Sequence, residues 1–145
     1  MKLFTIGFTK KSAERFFGLL REAGVTALVD VRLNNISQLS GFAKRDDLRY
    51  FLGEIIGAQY SHRTELAPTQ DMLDAYKKRG IGWAAYEEGF LELMKVRQIE
   101  DAVRQETLDN AVLLCSEDNA RHCHRRLVAE YLAQQWEDVT IEHLA

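Results

Sequence analysis

The chain has 145 residues and a formal net charge of −3, with 46% hydrophobic and 28% charged residues. That length suits one domain, and so average a composition excludes a wholly disordered chain, a collagen-like repeat or a coiled-coil rod. One proline and nine glycines leave no room for a flexible linker, mild acidity argues against coating of nucleic acid, and no apolar run approaches the ~20 residues of a membrane span.

In chain order, Leu3 to Ile6 reads as a strand ended by Gly7. Lys10 and Lys11 follow too soon for the apolar core of a signal peptide, so a cytoplasmic location is expected. Ser12 is placed to cap a helix whose apolar face is Phe16, Leu19, Leu20 and Ala23, with Gly24 at its end. Val25 to Val31 is almost continuously apolar apart from Asp30, as a doubly buried strand would be. Asn34 to Gly41 reads as a loop.

Asp46 or Asp47 would cap a second helix carrying Leu48, Phe51, Leu52, Ile55 and Ile56, with Gly57 closing it. Residues 58–69 look irregular, with a short strand at Tyr60. Asp71 to Lys78 suits a short helix. Trp83 to about Gln105 suits a longer one, with Tyr86, Phe90, Leu93 and Ile99 at helical spacing. Ala111 to Leu114 is a further buried strand. A helix from about Cys123 buries Leu127, Val128, Tyr131 and Leu132, and Thr140 to Leu144 is a last strand. The alternation predicts one α/β domain over residues 1–145. It would be a three-layer sandwich with a mostly parallel sheet flanked by helices.

Ligands of such sheets bind outside the carboxyl ends of the strands. Three strand ends carry eight of the 19 Lys and Arg residues, namely Lys10, Lys11, Arg32, Lys44, Arg45, Arg121, Arg125 and Arg126. That clustering points to an anionic ligand, since Arg pairs with phosphate and carboxylate groups. Lys10, Lys11 and Arg45 read more simply as solvated loop charges. Asp30, Arg32, Ser37, Lys44, Cys123 and Arg125 are the candidate binding residues. Cys115, Glu117 and His124 are the candidate catalytic ones. The expected partner is a phosphate-containing small molecule or a nucleic acid, with no membrane, no cofactor and an open oligomeric state.

Two cysteines are too few for a disulfide framework, so both should be thiols. Four readings of their motif stand side by side. Cys115 could be a nucleophile, because Cys115 to Arg121 has the Cys-x5-Arg spacing of cysteine phosphatases, and Asp30 with Arg32 at a strand end is similar to rhodanese-like domains. The loop lacks glycines, however, and Glu117 and Asp118 would repel phosphate. Arg32, Arg125 and a helix N-terminus could instead bind an anion without chemistry. Cys115, Cys123 and His124 could hold a metal with His62 or His122. The spacing matches no standard zinc pattern, though, and adjacent helical side chains diverge by roughly 100°. Lastly, buried ion pairs and a buried thiol could be purely structural.

Certain residues carry a family resemblance: Thr5-Ile6-Gly7, Val29-Asp30-Val31-Arg32 with Ser37, Phe42, Lys44, Tyr60, Leu66, and Leu114-Cys115-Ser116-Glu117 with Cys123-His124-Arg125. By these the chain resembles the domain-of-unknown-function 488 family from end to end. The resemblance implies a cytoplasmic α/β domain without an established biochemical role. The chain departs from the family pattern at three places. Phe8-Thr9 stands for the usual His-Ser, Asn34 or Asn35 for a proline, and Leu66-Ala67-Pro68 for Leu-Gly-Gly. The first departure removes a candidate acid–base or metal group.

Overall fold

The computed structural model describes residues 1–36 and 40–145. Five strands, β1 (Lys2–Gly7), β2 (Ala27–Asp30), β3 (Gln59–His62), β4 (Ala111–Cys115) and β5 (Thr140–His143), form one sheet in the order β3-β2-β4-β1-β5. Every neighbouring pair is parallel, so the sheet expected to be mostly parallel is wholly so. The helices are α1 (Ala13–Ala23), α2 (Arg45–Phe51), α3 (Gln70–Lys77), α4 (Trp83–Arg97), α5 (Ile99–Ala102) and α6 (His124–Gln135). Among the described residues no helix is long and apolar enough to cross a membrane.

The two faces of the sheet follow from the alternation of side chains along each strand. Phe4 and Ile6 of β1 pack with Phe16, Phe17 and Leu20 of α1 and Leu48 of α2. Leu3, one residue out of phase, packs in a second core with Phe90 and Met94 of α4 and Leu127 and Val128 of α6. Helices thus cover both faces, which gives the expected three layers.

At α1 the Ser12 side chain accepts from the Arg15 N–H and Gly24 turns the chain at φ 73°, as the sequence predicts. Neither Asp46 nor Asp47 caps α2. Lys44 precedes that helix, and both aspartates sit in its first turn, against the positive end of the dipole. α2 continues as a π-helical turn over Leu52–Ile56 and stops at Gly57, φ 67°. The single helix expected from Trp83 breaks at Gln98, whose φ of 51° redirects the chain. This lets Ile99, Val103 and Leu108 join the core beside α6 along a new line. No glycine or proline marks that break.

β4 lies between β2 and β1. The chain leaves β1 and β2 toward the α1–α2 layer but leaves β4 toward α6 on the opposite face. Outgoing loops therefore diverge at the end of β4, which opens a crevice there. Register sets Cys115 level with Gly7, and Leu114 level with Asp30.

Candidate functional site

One side of the crevice is a buried ion pair. Arg32 donates from Nε to Asp30 Oδ1 and from Nη2 to Asp30 Oδ2, each at 2.8 Å. Nη2 also reaches the Ala43 carbonyl at 2.8 Å, and the Arg32 N–H returns to Asp30 Oδ1 at 3.1 Å. The Tyr60 hydroxyl donates to Asp30 Oδ2 at 2.6 Å. Burial and that bond to Asp30 push the hydroxyl well above the usual phenol range, so it stays a donor. Asp30 is fully buried, Arg32 is 3% exposed, and Arg32 Nη1 is buried without any hydrogen-bond partner.

The opposite side is the loop after β4. The Arg125 guanidinium lies beneath it, donating from Nη1 to the Glu117 carbonyl at 2.6 Å and from Nη2 to the Asp118 carbonyl at 3.4 Å. Its Nε faces Thr5 Oγ1 at 3.3 Å. From the β1 end, Thr9 donates its N–H and its hydroxyl to the Ser116 carbonyl, at 3.1 and 2.6 Å. Thr9 thus pins the cysteine loop. Lys11 pairs with Asp118 at 2.9 Å with its side chain 2% exposed. The expectation of a solvated Lys11 is therefore wrong: the loop folds over its stem and leaves it a carboxylate partner, which holds Asp118 below the ordinary carboxylate range.

Between these walls lie Cys115, Cys123 and His124, with one sulfur or nitrogen of each within 4.8 Å of the others. The expected divergence of Cys123 and His124 fails. Cys123 is the residue before α6 and is extended, φ −139° and ψ 138°, so the helical spacing does not apply to the pair, and the ligand atoms of Cys123 and His124 come within 4.8 Å of each other. His124 Nε2 meets the Val31 carbonyl at 2.7 Å, which fixes Nε2 as the protonated nitrogen. Cys115 Sγ is 3.4 Å from Nδ1 and 3.7 Å from Nε2. A sulfur so nearly equidistant from both nitrogens would collide with Cε1 if it lay in the ring plane, so it packs over the imidazole face. The Nδ1 lone pair therefore does not aim at Sγ. The three atoms are metal-ligand types crowded together, with the Nδ1 lone pair turned away from the Cys115 sulfur.

The electrostatics separate the two thiols. The adjacent Cys123 thiol, then the Ser116 N–H and the charges of Arg125 and Arg32, hold Cys115 below the ordinary thiol value against its burial. Burial, reinforced by Cys115, pushes Cys123 well above it. Burial also lowers His124, so its ring is neutral at pH 7. Reaction follows the thiolate fraction. Iodoacetamide at neutral pH will therefore label Cys115 before Cys123 in the folded protein, and without preference in urea, as peptide mass spectrometry would show. Prior labelling of Cys123 would contradict this order.

Arg32, Cys115, Glu117, Cys123 and His124 all line one cavity of about 210 Å3. Asp30 stands behind it, holding Arg32. Arg125 does not line it: its guanidinium is taken up by loop carbonyls, and it borders a separate cleft with Arg121 and Arg126. The Cys-x5-Arg spacing thus builds no cradle, since Arg121 is exposed and outside the cavity. Lys44 is exposed and also outside it. Ser37 lies outside the described residues.

The sequence reading missed the aromatic rim. Trp83 is half-buried, packs against the core beneath α4 and also lines the cavity. It stacks on His122 with centroids 4.9 Å apart and 20° between planes. Tyr76 meets Trp83 edge-on at 5.7 Å. The available signal was position: Tyr76 and Trp83 fall at the end of one helix and the start of the next, where side chains face a rim. No curated protein and no solved structure matches the chain. The family model described as "Domain of unknown function DUF488" matches residues 12–132, which include every candidate site residue, and the chain belongs to that family.

Proposed function

We propose that the protein binds a small oxyanion of the phosphate or sulfate class in the cavity at the end of β4, with Arg32 as its anchor. The observation that carries this reading is Arg32 Nη1, a buried and charged donor with no partner. Leaving such a group unsatisfied costs about 1–3 kcal/mol or more. A protein tolerates that cost where a ligand completes the bonding. Asp30 holds the rest of the guanidinium bidentately, so Nη1 is oriented before any ligand arrives. The cavity, about 210 Å3 in volume, admits a small anion or a nucleic-acid end but no duplex.

The test is thermal unfolding in sulfate or phosphate against chloride at equal ionic strength. An anion at 100 times its dissociation constant will add roughly 2.7 kcal/mol of stability. Arg32→Lys will lose that gain, because an ammonium cannot both keep the fork on Asp30 and reach the cavity. Lys44→Ala and Arg121→Ala will keep it. Wild-type protein that melts alike in all three salts would overturn the reading.

A further inference from the structure

We propose that the anion held by Arg32 carries a transferable sulfur atom, which Cys115 accepts as a persulfide and Cys123 then resolves. This rests on the anion-binding reading and names its substrate class, a sulfane-sulfur anion such as thiosulfate. The supporting geometry is a pair of buried thiols in the cavity that Arg32 also lines, with one nitrogen of that guanidinium left without a partner. Both cysteines and Arg32 line the same cavity, and the sulfurs lie within 4.8 Å of each other.

Phosphoryl transfer to Cys115 fits this site poorly. It builds charge on several equatorial oxygens and needs a ring of donors around them. Among the described residues, Arg32 Nη1 is the one buried side-chain donor without a partner. Arg121, the residue that would complete a phosphate cradle, points into another cleft. Attack on divalent sulfur makes a different demand. Charge moves only onto the leaving group, and one fixed cation suffices to receive it. A second thiol has no task in phosphoryl transfer, but it consumes a sulfur adduct.

The Cys115 thiolate attacks the outer sulfur of thiosulfate. The sulfur–sulfur bond of thiosulfate breaks, and its electron pair leaves with sulfite on Arg32. Cys115 is then a persulfide. Cys123 gives up its proton and attacks Cys115 Sγ. The terminal sulfur departs as hydrosulfide with its electron pair, and a Cys115–Cys123 disulfide remains. Two thiols are oxidised by two electrons, and the sulfane sulfur is reduced by two. An external dithiol returns the pair to its starting state. The groups that hold Cys115 toward its thiolate form, Cys123 first among them, favour the first step. His124 packs over Cys115 as a wall, not as an in-line base.

The experiment incubates the reduced full-length chain with thiosulfate and reads intact mass, released sulfite and released sulfide. Wild type will lose two hydrogens and release both products. Cys123→Ala will release sulfite alone and gain one sulfur atom, on Cys115. Cys115→Ser will do neither. Arg32→Lys will form the adduct roughly tenfold more slowly or worse, having lost a charge-assisted hydrogen bond to the leaving group. Far-ultraviolet melts establish that each variant is folded, and sulfate binding by wild type is measured in parallel. If sulfate stabilises the protein but Cys123→Ala gains no sulfur, this proposal fails and the anion-binding reading stands. If sulfate has no effect and Arg32→Lys reacts at the wild-type rate, both fail.

Discussion

Replacing Asp30 by alanine will lower the stability of the fold by about 3–5 kcal/mol, the cost of leaving a buried charge without its partner. Asp30 is fully buried and accepts four hydrogen bonds, three from Arg32 and one from Tyr60. Without it, Arg32 keeps only the Ala43 carbonyl, and its charge is stranded in the sheet edge. An exposed pair would cost far less, about 0–1 kcal/mol. A loss in that lower range, measured by urea unfolding, would mean that water reaches the pair. The double variant Asp30→Leu with Arg32→Met separates charge from packing. Replacing both partners of a buried pair by apolar groups is often close to neutral, so the double variant will be more stable than Asp30→Ala alone. It will nevertheless show no response to sulfate. A stable fold that has lost its anion response would identify the ion pair as a feature kept for binding.

The strand ends were legible because buried parallel strands announce themselves as unbroken apolar runs. Ala111 to Cys115 and Ala27 to Val29 are such runs, and polar residues follow each at once, Ser116 and Asp30. Once the strands are placed, the carboxyl-edge rule brings Arg32, Cys115 and Cys123 to one cavity without further information. What could not be read is which polar side chain the loop backbone would claim. Arg32 and Arg125 look equivalent as letters. Arg125 sits in the first turn of α6 directly under the loop carbonyls and is used up by them. Arg32 follows a strand whose last residue is an aspartate, and the fork on that aspartate leaves one nitrogen over. The same limit explains Cys123. A helix boundary uncertain by one residue decides whether its side chain diverges from His124 or lies beside it.

Gly7→Ala will destabilise the protein by about 3 kcal/mol, the upper part of the range for overpacking a tight site. A Cβ at Gly7 would lie 1.5 Å from the Glu117 carbonyl oxygen and 2.5 Å from its carbon, with Arg125 Nη1 at 3.0 Å. Those obstacles are backbone, so no side-chain rotation relieves them, and the loop after β4 must lift. Lifting it breaks the Arg125 bond to Glu117 and the Thr9 bonds to Ser116. It also moves the Ser116 N–H that favours the Cys115 thiolate. The variant will therefore lose the preferential alkylation of Cys115 as well as stability. Gly18→Ala is the matching control. It lies within α1 with nothing inside 4 Å of an added Cβ, and removing a helical glycine will stabilise the chain by roughly 0.5–1 kcal/mol. Equal effects at the two positions would mean that general chain entropy, and not the close approach of loop to strand, sets the requirement at Gly7. Opposite signs, with altered cysteine labelling only in Gly7→Ala, would tie the reactivity of Cys115 to the seating of its loop on β1.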